Sequence, residues 1–257
     1  MDAAQHSDPD DATFPTLVLI HGGAHAADCW DLTIRAIRQR EPRLRVIAVD
    51  LPGRGRHPGP VSAVTLSDFV NSVIGDIARA NVGHVVIAAH SMGGMTAPGV
   101  AAELGHPRIA ELVFIAAFVA PHGSSILDAL GAPLSLLAKA AVSLKRSFPL
   151  PVTVARMLFW NGLSRDQITF ARARLYTESR RVLTDAIDLH GLAEDIPRTW
   201  ILTLRDRALP PRRQFRCIAD LGGVDSVCEI DSCHDAMIDK PDRLAQLLIS
   251  SCHRHRR

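Results

Sequence analysis

Short runs of apolar, mostly β-branched residues recur along the chain, at Thr16 to His21, Arg45 to Asp50, His84 to His90, Glu111 to Ala117, Arg198 to Leu204 and Asp225 to Asp231. Their length and composition predict six strands. Within Val85-Val86-Ile87-Ala88-Ala89 the hydrophobicity is continuous rather than alternating, so both faces of that strand must be covered. Helical stretches lie between the runs. Thr65 or Ser67 can cap one that runs to about Ala80, and Pro241 can open another that ends near Cys252. Strands alternating with helices and buried on both faces predict an α/β protein, a mostly parallel six-stranded sheet flanked by helices.

The alternation breaks once. The stretch from Val119 to Pro197 is far too long for an ordinary crossover and is read as a mainly helical cap inserted after the fourth strand. The expected organisation is a loose tail over 1–14, a core made of 15–118 and 198–257, and the cap over 119–197. Inside the cap, Ser124 to Leu144 and Ser164 to Leu189 are expected to be helical, with Pro149 and Pro151 breaking the path between them. Most of its apolar side chains form the cap's own core, while a minority, with Phe159 and Trp160 the candidates, roof a pocket.

Composition narrows the partners. Among 257 residues, 29 basic and 27 acidic side chains leave a net charge of +2, so no strong field selects nucleic acid or an anionic membrane. A 47% hydrophobic content supports a sizeable core and excludes disordered and fibrous classes. Five widely spaced cysteines form no CxxC pair, and the first residues are acidic where a secretory signal would be basic and then apolar. No apolar run is long enough to span a bilayer. The expectation is a soluble, cytoplasmic protein whose partner is a small molecule.

The chemistry is concentrated at strand ends. Ala89-His90-Ser91-Met92-Gly93-Gly94 joins the third strand to a helix beginning near Met95 and reads as a nucleophile elbow, a turn that forces its central residue into a strained backbone and needs small neighbours on either side. Gly93 meets that need, and Ala89 stands where glycine is usual. Ser91 alone could equally be a helix cap. A serine hydroxyl needs a base, and Asp231-Ser232-Cys233-His234 follows the last strand, with Asp206 following the strand before it. The order Ser91, Asp206, His234 has three residue types at the ends of three strands, which outweighs reading Asp206 as a surface turn residue and His234 as a loop histidine. Asp231 and Asp235 are reserve orienters of the histidine. After the first strand, His21-Gly22-Gly23 lets the backbone approach a substrate closely, and the amides of Gly23 and Met92 are the expected oxyanion hole. Gly22 is expected beside the substrate. Neither this loop nor Gly53-Arg54-Gly55-Arg56 completes a nucleotide-binding pattern, and His21 and His25 do not share a helical face as zinc ligands would. No metal or organic cofactor is implied. His90 is expected to pack behind the elbow, and Arg172, Arg174, Arg180 and Arg181 to form a solvated face.

These motifs resemble the α/β-hydrolase superfamily, and within it the methyl esterase and hydroxynitrile lyase branch with its bacterial relatives. The resemblance covers residues 15 to 254. It rests on Leu19-Ile20-His21-Gly22-Gly23 with Trp30, Asp50-Leu51-Pro52-Gly53-Arg54-Gly55, His90-Ser91-Met92-Gly93-Gly94, the Asp206 and His234 segments, and Leu158-Phe159-Trp160-Asn161 in the cap. It implies that lyase members carry threonine after the first-strand histidine and lysine after the catalytic histidine, where this chain has Gly22 and Asp235. A negative residue beside His234 opposes a cyanide leaving group, so cleavage of a small, largely apolar carboxylic ester through an acyl-enzyme is the expected reaction. Dehalogenase and epoxide hydrolase relatives use aspartate at the elbow. Lactone opening, carbon–carbon cleavage or a biosynthetic cyclisation would use the same three residues, and a small-molecule receptor would keep the scaffold without turnover. Homodimers are common among such relatives, but nothing in the sequence marks an interface.

Overall fold

The computed structural model describes residues 13–129 and 147–257. Six parallel strands form one sheet: β1 (Thr16–Ile20), β2 (Val46–Ala48), β3 (Val85–His90), β4 (Ile109–Ile115), and, after the stretch expected as a cap, which holds the short strands β5 (Ser147–Pro149) and β6 (Thr177–Ser179), β7 (Arg198–Thr203) and β8 (Ser226–Ile230). Their spatial order is β2-β1-β3-β4-β7-β8. Alternate residues of β1, β3, β4 and β7 enter opposite cores, as a pleated strand requires. Val18, Ile20, Ile87, Phe114 and Trp200 belong to one. Leu17, Leu19, Val86, Ala88, Val113 and Ile201 belong to the other.

Helices cover both faces. On the second core lie α1 (Asp31–Arg40), through Ala36 and Ile37, and the last long helix, Pro241–Arg254, through Leu244, Ala245 and Leu248. On the first core lie α2 (Leu66–Arg79), through Phe69, Val73 and Ile77, and α3 (Gly93–Leu104), through Ala97, Val100 and Ala101. Thr65 caps α2 in a reciprocal capping box with Asp68, which fixes the start of the helix where the sequence suggested it. The helix after β3 begins at Gly93, two residues before the expected Met95.

Between β4 and β7 lie α4 (Ile126–Ala129), β5 (Ser147–Pro149), α5 (Val152–Leu158), α6 (Arg165–Arg172), β6 (Thr177–Ser179) and α7 (Arg180–Thr184). Of the helix expected over Ser124 to Leu144, the part from Leu130 to Leu144 lies outside the described residues, as do residues 1–12 of the expected tail. The helix expected over Ser164 to Leu189 is instead broken. α6 opens on a Ser164–Gln167 capping box and stops at Arg172, and residues 177–179 extend to pair antiparallel with β5. The cause is a long-range partner: Glu178 is buried against Arg54 of the core, which overrides local helix preference. Past the cap, α8 (Pro211–Asp220), α9 (Ala236–Asp239) and α10, the last helix, complete the chain. Among the described residues no helix is long and apolar enough to cross a membrane. All five cysteines are free, and four are buried.

Candidate active site

Four loops leaving the sheet at the ends of β1, β3, β7 and β8 converge on Ser91. This residue sits between β3 and α3 with φ +50°, the left-handed region that non-glycine residues seldom occupy. The turn is held by backbone bonds: the Ser91 amide donates to the Ile115 carbonyl (3.1 Å), and the Ser91 carbonyl accepts from Gly94 (2.9 Å) and Phe118 (2.8 Å). A Cβ on Gly93 would stand 3.1 Å from the carbonyl oxygens of both Ile20 and His21, which explains the small residue there. On the other side Ala89 is fully buried, so its methyl is accommodated within the sheet.

His234 comes from the loop between β8 and α9. Its Nε2 lies 2.8 Å from Ser91 Oγ and its Nδ1 lies 2.7 Å from Asp206 Oδ2. Because a carboxylate only accepts, Nδ1 carries the proton and Nε2 offers a lone pair to the serine hydroxyl. Asp206, in the turn after β7, is itself fixed by Thr203 Oγ1 donating to Oδ2 (3.0 Å) and the Leu209 amide donating to Oδ1 (2.7 Å). Burial alone would push the His234 imidazole down, but the Asp206 carboxylate, joined by the charge of Asp235, outweighs it and holds the imidazole above the usual histidine range. The reserve orienters do not reach the ring edge: Asp231 is exposed and pairs with Arg205 at 2.8 Å.

Asp235 is buried and takes a different part. Trp160 Nε1 donates to its Oδ2 (2.7 Å), and His25 Nε2 lies 3.3 Å from the same oxygen. Burial opposes its charge, yet His25 and its neighbouring histidines bring it to about 2. His25 Nδ1 faces the Gly23 carbonyl at 2.8 Å, while Nε2 approaches Asp235 at ion-pair distance without completing a hydrogen bond. Its pKa is raised accordingly, because Asp235 and the Gly23 carbonyl outweigh burial. The carboxylate beside His234 therefore has a second histidine, His25, within 3.3 Å of it. His90 does pack behind the elbow: its Nε2 donates to the His234 carbonyl (3.0 Å), and burial, reinforced by His234, brings it down to about 3.

A cavity of about 200 Å³ opens over Ser91, lined by Gly23, Ala24, His25, His90, Met92, Leu150, Phe159, Glu178, Leu183 and His234. Gly23 and Met92, the expected oxyanion donors, both border it, and among the described residues no hydrogen bond engages either amide. Phe159 reaches the cavity, its ring 5.0 Å from that of His234. The other two expected pocket residues do not line it. Trp160 is turned to Asp235, and Gly22 lies behind the serine, where a Cβ would stand 2.7 Å from Ser91 Cβ. Arg174 also departs from a purely solvated face, bonding the Asp28 carbonyl and Asp31 and stacking over Phe170.

Among the described residues, two groups of side chains bring metal-ligand atoms together. In the first, His90, His234 and Asp235, both nitrogens of His234 are engaged by Ser91 and Asp206, and Asp235 by Trp160 and His25. The second, His122, Asp188 and His190, is exposed and lies outside the cavity lining. Sequence reasoning missed Arg54, Glu178 and the pairing of His25 with Asp235. The sole signal for the first two was an arginine in a glycine-rich loop and a glutamate amid predicted helix.

Residues 17–247 match the alpha/beta hydrolase family. Over 238 residues the chain is 27% identical to a carbendazim hydrolyzing esterase of Nocardioides sp. strain SG-4G, covering 90% of this chain and 97% of that protein. It is 23% identical over 256 residues to methylesterase 18 of Arabidopsis thaliana, covering 91% and 95% respectively. An extracellular alpha/beta-hydrolase from a Paenibacillus species superposes with a TM-score of 0.81 at 24% identity, covering 93% of this chain and 99% of that one.

Proposed function

The chain belongs to the alpha/beta hydrolase family, and on that premise we propose that it is a serine hydrolase of small, largely apolar carboxylic esters. The observation that carries the proposal is the continuous hydrogen-bond chain from Ser91 through His234 to Asp206 beneath an apolar cavity. Kinship with an esterase and a methylesterase supports the ester bond as the target and agrees with the branch suggested by the sequence.

In this reading Ser91 Oγ attacks the acyl carbon while His234 Nε2 takes its proton. Asp206 holds the tautomer that leaves Nε2 free and stabilises the imidazolium as it forms. The amides of Gly23 and Met92 receive the charge that develops on the carbonyl oxygen. Collapse of the tetrahedral intermediate expels the alcohol, protonated by His234, and leaves an acyl-serine. Water, activated by the same imidazole, then releases the acid. At about 200 Å³ the cavity falls below the volume of sites for drug-sized ligands, which favours a short acyl chain or a single ring. Five unpaired cysteines support a reducing, cytoplasmic setting.

Ser91→Ala tests the reading directly. It should abolish labelling by a fluorophosphonate probe and hydrolysis of short aryl esters, and unchanged turnover would reject Ser91 as the nucleophile. Methyl, aryl and lactone substrates screened against both proteins separate ester cleavage from lactone opening.

A further inference from the structure

We infer that Glu178, a residue of the cap, is a positioning residue for the oxyanion hole of the core, acting through the peptide units that flank Gly23. The inference rests on the hydrolase reading above and adds to it a role for the cap beyond roofing the cavity.

The loop after β1 has a built-in difficulty. A Cβ on Gly22 would stand 2.7 Å from Ser91 Cβ, so that position must be glycine, and one on Gly23 would displace the flexible thioether of Met92. Glycines have wide backbone freedom, and an amide between two of them does not hold a direction by itself. Ala24, next in line, has φ +58°, another unfavourable state. A donor that must meet an oxyanion without reorganising therefore needs external anchors.

The structure supplies them on both sides of the Gly23 amide. His21 Nδ1 lies 2.8 Å from the Gly22 carbonyl, and His25 Nδ1 lies 2.8 Å from the Gly23 carbonyl. The Ala24 amide donates to Glu178 Oε2 at 3.0 Å, fixing the other end of the Gly23–Ala24 peptide. Arg54 locks the glutamate with a two-pronged contact, Nη2 to Oε1 at 2.6 Å and Nη1 to Oε2 at 3.1 Å. The same Nη1 donates to the His25 carbonyl at 2.9 Å. The Ser179 amide adds a contact to Oε1 at 2.8 Å.

Glu178 borders the cavity, yet both of its oxygens are filled by these donors, and its side chain is 3% exposed. It has no lone pair left to serve as a base for substrate, and Arg54 balances its charge, so the developing oxyanion does not face a bare carboxylate. What remains for it to do is to hold a loop. Because Glu178 lies on β6 and Arg54 on the loop after β2, the seating of the cap and the aim of the Gly23 amide are a single mechanical unit.

Three variants test this beside wild type and Ser91→Ala: Glu178→Gln, Glu178→Asp, and the double replacement Arg54→Met with Glu178→Leu. The double replacement removes both charges of the buried pair together, and the thermal midpoint reads what the Ala24 and Ser179 amides and the His25 carbonyl cost once they lose these partners. The readouts are thermal midpoint, kcat and KM on a short aryl ester, and affinity for a boronic acid that forms a tetrahedral adduct on serine. For the folded double variant kcat should fall roughly 10²-fold, the scale of a misaimed catalytic group, with KM within about threefold of wild type. Boronate affinity should fall by the same factor as kcat, and Glu178→Asp should recover part of both. Wild-type kcat in a folded double variant would overturn the inference, as would a loss confined to KM or thermal midpoint. If the double variant does not fold, Glu178→Gln and Glu178→Asp decide by the same criterion. Failure of the hydrolase reading has a separate signature, turnover that survives Ser91→Ala.

Discussion

Asp206→Asn is the substitution whose outcome the geometry specifies most closely. The Leu209 amide donates to Oδ1 at 2.7 Å from a fixed backbone position, so the asparagine must keep its carbonyl oxygen there. Its NH2 group is then forced into the place of Oδ2, 2.7 Å from His234 Nδ1. Thr203, a hydroxyl, can rotate to accept instead of donate. A donor facing Nδ1 drives the imidazole proton to Nε2, where it points at Ser91 and can no longer receive the serine proton. In a serine protease the same exchange costs about 10⁴ in turnover, equivalent to about 5.5 kcal/mol of transition-state stabilisation. The pH profile gives a second readout. On the proposed mechanism activity requires neutral His234, whose pKa is raised in the folded protein because Asp206 and Asp235 outweigh burial. The rising limb of kcat/KM should therefore sit above the usual histidine pKa in wild type and move to lower pH in the variant, where the Asp206 charge is gone. The assay is aryl ester hydrolysis from pH 5 to 9, with thermal midpoints to establish folding. A folded variant within tenfold of wild type, or an unmoved limb, would refute the assignment of Asp206 as the orienting group.

Two further predictions follow from the packing and the buried histidines. Gly22→Ala places a methyl 2.7 Å from Ser91 Cβ and 2.9 Å from His90 Nδ1, so it should destabilise the fold by about 1–3 kcal/mol and cut ester hydrolysis sharply; wild-type melting and turnover would contradict the close approach. His90 is held at about 3, below its unfolded value of 6.5, so the unfolded chain takes up its proton first as pH falls. The associated stability is complete above 6.5 and declines between 6.5 and 3 by up to about 1.4 kcal/mol per pH unit. His90→Gln should therefore narrow the gap between urea midpoints at pH 7 and pH 5, and an unchanged gap would show that His90 does not govern the acid response.

The sheet was legible because its strands are short, apolar and separated by capped helices. Val85 to His90 reads as a doubly covered strand since both of its faces are occupied by helices packed from either side. Ser91, Asp206 and His234 could be nominated together because each follows a strand, and a parallel sheet delivers such residues to one edge. The cap interior was not legible for an equally physical reason. Residues 177–179 are extended because an arginine more than a hundred positions earlier captures Glu178, and no local pattern encodes that capture. Trp160 has the apolar bulk of a pocket wall, but its indole N–H found a buried carboxylate, and one polar atom decided which way the ring turned. Asp235 likewise reads as an uncompensated charge until the histidine 3.3 Å away is seen.

The positive φ of Ser91 has a consequence for how this protein would respond to laboratory evolution. An L residue in that backbone state gives up about 1–2 kcal/mol that glycine would not. Under selection for heat survival alone, glycine at position 91 is among the simplest improvements on offer, and it removes the hydroxyl proposed as the nucleophile. Durability and reactivity are opposed at this one residue, so any campaign to harden the molecule must score turnover in every round.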